Sequence, residues 1–224
     1  MASKTIAIIG ATGKMGAAIA KSIAGGNYRL LLFSRDKAKA DALAASIREA
    51  HPNADLETTA CPFDASWEAD IIIPAVPYGA EKETAEKIRQ VATQKIVISI
   101  SNPLNAQYNG LLTDPGTSAA EELQSYLPHS KVVKAFNTAF AADYAQTVLE
   151  GKQLDLFIAG NDQEALQTVS TLVADAGFRP LVAGDLTMSR TLENMTVLLI
   201  QLNMKYGFKG VAGWKVLSNQ QTTI

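Results

Sequence analysis

Cysteine occurs once in the 224 residues, at Cys61, and histidine only twice. A lone thiol excludes an internal disulfide, and without companion ligands or a base it offers neither a metal cluster nor thiol catalysis. Cys61 therefore reads as a small, half-buried residue at a strand end. His51 and His129 stand beside prolines in connecting segments and read as surface residues. An excess of one charge is also missing: 20 Lys and Arg face 22 Asp and Glu, a net charge of −2, with no run of like sign. Nothing in this balance attracts nucleic acid or an anionic membrane. Long apolar runs are absent too. Met195 to Leu202, the longest late stretch, is interrupted by Thr196 and Gln201 and falls far short of the ~20 residues of a membrane span. The first apolar stretch begins at Thr5 and runs as a strand into a glycine turn, so no signal peptide is expected and the protein is expected to be soluble and cytoplasmic. No internal repeat or low-complexity segment is found.

What is present is alternation. Strand-like and helix-like segments follow one another, which predicts a mostly parallel, doubly wound α/β sheet of Rossmann type covered on both faces. At ~100–200 residues per domain, the length suits one large domain or a standard domain with a small appendage. The reading is a nucleotide-binding domain over 1–150 and a C-terminal α/β extension over 151–224 that ends in a long helix. Strands are expected at 29–33, 55–60, 70–76, 95–99, 131–136, 154–160 and 179–182, after the first. Helices are expected at 37–50, 80–91, from Thr117, from Asn137-Thr138-Ala139, at 162–176 and at 186–204, with an irregular loop over 105–116. The last helix carries an apolar stripe at 192, 195, 198, 199 and 202 for core or dimer packing.

The first strand feeds Gly10-Ala-Thr-Gly13-Lys-Met-Gly16, and a helical pattern continues from Ala17. A strand, a glycine turn and a helix start suit a pyrophosphate, because it must approach the backbone closely and the helix start offers open N–H groups. The second strand ends where the adenosine ribose of a dinucleotide would lie. An NAD site places a carboxylate there. This chain places Ser34-Arg35, with Lys37 and Lys39 beyond, and a guanidinium fork suits a phosphate. The cofactor read from these residues is NADP(H). Asp36 fits a helix N-cap.

Ligands of doubly wound sheets bind beyond the carboxyl ends of the strands. Those ends carry Thr12 to Met15, Ser34-Arg35, Pro77-Tyr78, Asn102-Pro103 and Asn137-Thr138, a set rich in hydrogen-bonding groups and poor in acids and bases. Carbonyl or imine reduction needs a proton donor. Tyr78 and Lys82 have a Tyr-x-x-x-Lys spacing similar to that of short-chain dehydrogenases, but they follow the fourth strand, where a cofactor contact is more natural. Hydride transfer between two cofactor rings needs proximity and orientation instead.

Taken together, Gly10-Ala-Thr-Gly-Lys-Met-Gly16, Ser34-Arg35 with Lys39, Val76-Pro77-Tyr78, Thr117-Ser-Ala-Ala-Glu-Glu and Lys131-Val-Val-Lys-Ala-Phe-Asn-Thr resemble the NADPH-dependent reductases of the deazaflavin coenzyme F420. Gly177-Phe-Arg-Pro-Leu, Ser189-Arg-Thr-Leu-Glu and Gly213-Trp-Lys-Val-Leu extend the resemblance over essentially the whole chain. It implies that Thr12, Gly13, Lys14 and Met15 hold the pyrophosphate and that Ser34, Arg35 and Lys39 hold the 2′-phosphate. Tyr78, Leu104 and Ala141 would lie along the nicotinamide half, with the second cofactor over the ring. It also implies a homodimer with the final helical segment at the interface. Where the archaeal enzymes carry His-Thr-Ile-Pro, this chain has Phe136-Asn137-Thr138-Ala139, similar to bacterial relatives and to the cytosolic domain of the Steap metalloreductases, where a flavin (FMN or FAD type) accepts the hydride. Two further functions stay open at this point: a non-catalytic NADPH sensor, and a reductase of small imines or hydroxy acids with Tyr78, Lys82 or Lys134 as proton donor.

Overall fold

The first strand, β1 (Lys4–Ile9), sends Ile6 and Ile8 to one face of the sheet and Ala7 and Ile9 to the other, all of them buried. A strand buried on both faces must be covered on both, and the computed structural model, which describes residues 3–219, shows that arrangement. After β1 the chain forms α1 (Lys14–Ile23), β2 (Tyr28–Phe33), α2 (Lys37–Ala50), β3 (Asp55–Thr59), α3 (Pro62–Glu68), β4 (Ile71–Pro74), α4 (Glu81–Ile88) and β5 (Ile96–Ser99). Then come α5 (Ala119–Tyr126), β6 (Lys131–Lys134), a hairpin of β7 (Val148–Leu149) and β8 (Lys152–Gln153), β9 (Asp155–Gly160), α6 (Gln163–Asp175), β10 (Arg179–Gly184) and α7 (Ser189–Tyr206).

Eight strands form one sheet in the order β10-β9-β6-β5-β4-β1-β2-β3. Every pairing is parallel except β6 with β9. Residues of α1, α2 and α6 pack on one face with Ile6, Ile8, Val133 and Ile158, while α3, α4 and α5 pack on the other with Ala7, Ile72, Val97 and Val132. β9 and β10 thus extend the same sheet, and Leu156 and Ile158 share a core with β1.

The helix starts obey their local chemistry. Asp36 accepts from the Lys39 N–H at 3.2 Å, Ser118 from Glu121 at 3.2 Å and Asp162 from Ala165 at 2.8 Å, each supplying an acceptor to an otherwise open N–H. At the other end of α7, Gly207 adopts φ +71° and stops the helix.

Several expectations are corrected. No helix opens at Asn137: Phe136 takes φ +62°, residues 135–139 run buried and irregular, and only a single 3₁₀ turn (Ala141–Ala145) follows. The cause is the buried Asn137 side chain, whose hydrogen bonds to distant segments fix the backbone there. Helix α3 was not anticipated, because it is seven residues long, buries only Ala65 and Ser66 and turns Phe63 and Trp67 outward, which leaves no amphipathic stripe to read. The β7–β8 hairpin was also not anticipated; it turns on Glu150 and Gly151, both at positive φ, between strands of two residues. The buried face of α7 differs from the expected stripe. It comprises Ser189, Leu192, Glu193, Thr196 and Leu199, whereas Leu198 is 50% exposed. His51 is half-buried against Gly25 instead of lying free on the surface, while His129 is exposed and Cys61 half-buried as expected.

Candidate functional site

The glycine turn joins β1 to α1, and its three glycines do three different things. Gly10 has φ +89°, and a Cβ there would run into the Ala75 carbonyl oxygen. Its N–H and that of Ala11 both donate to the Phe33 carbonyl at 2.9 Å, which ties the turn to the end of β2. Gly13 stands at the N-cap of α1 and brings no side chain to it, so the N–H groups of the first helical turn remain open to an anion. Gly16 allows α1 to lie on the strand, since a Cβ there would be 2.5 Å from the Gly10 oxygen. Lys14 is exposed beside this start, and Met15 packs partly into the core.

At the end of β2, Ser34 is buried and its hydroxyl lies 2.8 Å from that of Thr12 in the glycine turn. The Ser34 oxygen also accepts from the Asp36 N–H at 3.3 Å. Asp36 itself is engaged as the cap of α2, with Lys39 Nζ 3.2 Å away, and these contacts hold its carboxyl below the usual range. Arg35 is exposed and makes no hydrogen bond or ion pair among the described residues. The exposed Arg35 guanidinium and the Ser34 hydroxyl thus stand at the end of β2, and Thr12 links that end to the glycine turn before the open start of α1.

The remaining ends line up across the sheet. Val76, Pro77 and Tyr78 follow β4, Asn102, Pro103 and Leu104 follow β5, and Asn137 and Ala141 follow β6, in the strand order β6-β5-β4-β1-β2. The sequence-predicted residues thus occupy five neighbouring strand ends in one row. The order reverses between β1 and β4, the crevice where doubly wound folds take their ligands. Above β5 the loop is irregular as expected, closed by Asn105 N–H to the Gly110 carbonyl at 2.9 Å and tied to α7 by Gln201 Nε2 to the Tyr108 carbonyl at 2.8 Å.

A family model described as NADP oxidoreductase coenzyme F420-dependent matches residues 5–103. The F420-dependent NADP reductase of Methanocaldococcus jannaschii is 34% identical over 213 residues, spanning 92% of this chain and 95% of that protein. The chain belongs to this family. The F420-dependent NADP reductase of Methanothermobacter thermautotrophicus is 29% identical across 89% of each chain. A crystal structure from Arthrobacter sp. FB24 shares the fold at a TM-score of 0.82, with 24% identity over 96% of this chain and 100% of that one. The metalloreductase STEAP3 of Rattus norvegicus matches a shorter part, 33% identical over 106 residues, 47% of this chain and 21% of that protein.

Within this member of the F420-dependent NADP oxidoreductase family, none of the three candidate proton donors stands free. The Tyr78 hydroxyl donates to Glu122 at 2.7 Å, and burial together with that carboxylate pushes its pKa up. Lys82 lies 5.9 Å from the centre of the Tyr126 ring, a cation–π contact. Lys134 is fully buried and donates to Glu193 at 2.7 Å and to the Ser101 carbonyl.

Sequence reasoning missed the partners of these groups. Glu193 is buried on α7 and also accepts from the Ala119 and Ala120 N–H groups at the start of α5, at 3.1 and 3.4 Å. Glu81 opens α4 and is buried, with one carboxyl oxygen lacking a partner; burial raises its pKa to about 8, against the pull of Lys134 and with the push of Glu193 and Glu122. Asn137 donates its side-chain amide to Asn102 at 3.0 Å and to the Leu192 carbonyl at 3.1 Å, and its backbone carbonyl accepts from the Thr196 hydroxyl at 2.9 Å. Arg190 forks onto Glu121 at 2.9 and 2.5 Å and holds that carboxyl below its usual range. A glutamate inside the buried face of α7 was the one available signal, and the apolar stripe drawn through 195 and 198 obscured it.

Proposed function

We propose that this chain transfers hydride between NADPH and coenzyme F420. The observation that carries the cofactor half is the end of β2: Ser34 and an Arg35 without a hydrogen bond or ion pair among the described residues stand where an NAD site needs a carboxylate, and the adjacent acid, Asp36, is engaged as a helix cap. The glycine turn supports the pyrophosphate half, because a Cβ at Gly10 would fill the space and no side chain claims the start of α1. Thr12, Gly13, Lys14 and Met15 would hold the pyrophosphate, Ser34, Arg35 and Lys39 the 2′-phosphate, and Val76 to Tyr78 with Asn102 to Leu104 the nicotinamide half. The acceptor half rests on the relatives that are named for it.

When bound, the two rings supply the redox chemistry; the protein supplies position. Its residues fit that division. The Asn102–Asn137 amide pair fixes the ends of β5 and β6, and Tyr78, Lys82 and Lys134 are all engaged with other side chains, which favours ring-to-ring transfer over an imine or hydroxy-acid reduction. We place the acceptor over the ends of β5 and β6, beside α7.

The working form we propose is a homodimer. α7 and the segment after it leave Leu198, Met204, Tyr206 and Phe208 exposed, at 50%, 63%, 59% and 42%, apolar side chains that a second copy would cover. No helix among the described residues is long and apolar enough to cross a membrane.

The test is NADPH oxidation by the purified protein with coenzyme F420 as acceptor and with FMN and FAD alongside. Turnover with F420 is the expected result. Turnover with a flavin alone would assign the acceptor type of the Steap-like Phe136-Asn137-Thr138 segment, and tight NADPH binding with no turnover would make the protein a sensor.

A further inference from the structure

A lysine with no exposed surface is the least expected residue in this core. Lys134 ends β6 opposite Ser99 of β5, on the face otherwise packed with Val97, Val132 and Ala120. An ammonium there is costly, and a buried ion pair adds little stability over an apolar pair of the same volume. Its geometry shows a second consequence of the pair. Lys134 Nζ donates to two acceptors, the Glu193 carboxylate of α7 and the carbonyl of Ser101, the residue directly before Asn102-Pro103-Leu104. Glu193 is anchored in turn by the Ala119 and Ala120 N–H groups at the start of α5, so the pin is braced from a helix end. On either side of Glu193 in α7, Leu192 and Thr196 hold Asn137, which holds Asn102. Two polar bolts from one helix therefore fix the chain where it leaves β5 and β6.

We propose that Lys134 is a positioning residue for the nicotinamide half of the dinucleotide, acting through the Ser101 carbonyl on the Asn102–Leu104 segment, with Glu193 as its brace. The inference rests on the reading that NADPH lies along the strand ends with its adenosine over β2 and its nicotinamide toward β5. The adenosine end would be held by Ser34, Arg35 and the glycine turn, none of which hydrogen-bonds to the Lys134 side chain. Loss of the pin should therefore be felt at one end of the cofactor only.

The experiment compares two ligands on the full chain: NADPH, and adenosine 2′,5′-bisphosphate, which carries only the adenosine end. In Lys134→Met, NADPH affinity should fall about tenfold, a hydrogen bond's worth, while adenosine 2′,5′-bisphosphate binds as in the unaltered protein. With F420 turnover, the same variant should lose kcat more than it gains KM for the acceptor. Should Lys134→Met not fold, Glu193→Gln, which keeps the volume and removes the charge, should shift the ratio in the same direction by a smaller factor. Equal loss for both ligands in a folded variant, or no loss for either, overturns the proposal. Failure of the unaltered protein to bind NADPH would overturn the cofactor reading itself, and the proposal with it. NADPH binding with an intact Lys134 effect but no F420 turnover would remove the acceptor alone and leave the positioning role standing.

Discussion

Replacing Arg35 by alanine should separate NADPH from NADH. Arg35 is exposed, makes no ion pair among the described residues and has only the distant field of Glu83 near it, so its guanidinium is free to fork onto a 2′-phosphate. A hydrogen bond to a charged group contributes about 1.5–3 kcal/mol where water is excluded, and solvent screening at an exposed site brings the expected loss to about 1–3 kcal/mol. That corresponds to an increase of roughly 5- to 150-fold in the NADPH dissociation constant. NADH has no 2′-phosphate and should bind within about twofold of its original affinity, about 0.4 kcal/mol. The structure also ranks the neighbours: Lys39 Nζ is already 3.2 Å from Asp36, so Lys39→Ala should cost less than Arg35→Ala. Fluorescence titration of both dinucleotides at low and moderate ionic strength gives the numbers, and the Arg35 effect should shrink with salt. Equal loss for NADPH and NADH, or a larger loss from Lys39→Ala, would refute the assignment of the 2′-phosphate to Arg35.

Gly16→Ala places a Cβ 2.5 Å from the Gly10 oxygen, a backbone atom with no room to yield; it should destabilise by about 1–3 kcal/mol in urea unfolding and weaken NADPH binding together with stability. Glu81, whose pKa rises from 4.5 to about 8 on burial, binds its proton more tightly in the folded chain, so this group's contribution to stability falls as pH rises from about 4.5 to about 8. Glu81→Gln should flatten that part of the stability–pH curve, by a few kcal/mol at about 1.4 per pK unit, and an unchanged slope between the two would count against the burial argument. Asp155 is 1% exposed and takes Arg179 at 2.6 and 2.7 Å, Lys215 at 3.0 Å and the Val216 N–H at 2.6 Å. Asp155→Ala leaves those donors without their acceptor, should cost about 1–3 kcal/mol because Arg179 and Lys215 reach solvent, and should open the segment around Trp214 to limited proteolysis while the N-terminal strands stay protected.

The reach of the sequence was set by distance along the chain. The glycine turn and the caps at Asp36 and Ser118 are each decided by a few adjacent residues, because a helix end or a tight turn is satisfied or strained within one turn of backbone. The buried strands were legible for the same reason: runs such as Ile71–Pro74 have one low-energy use in a sheet covered on both faces. The Ser34-Arg35 end of β2 belongs with them, since strand register alone brings it beside the glycine turn. Only the tertiary structure decided what Lys134, Glu193, Glu81 and Asn137 do. Their partners lie tens of residues away, on α5 and α7 and in the segment after β5, and the identity of a buried polar partner depends on helix packing that no local periodicity encodes. The same limit explains the missing helix at Asn137: its local sequence permits one, and the bonds to Asn102 and α7 forbid it.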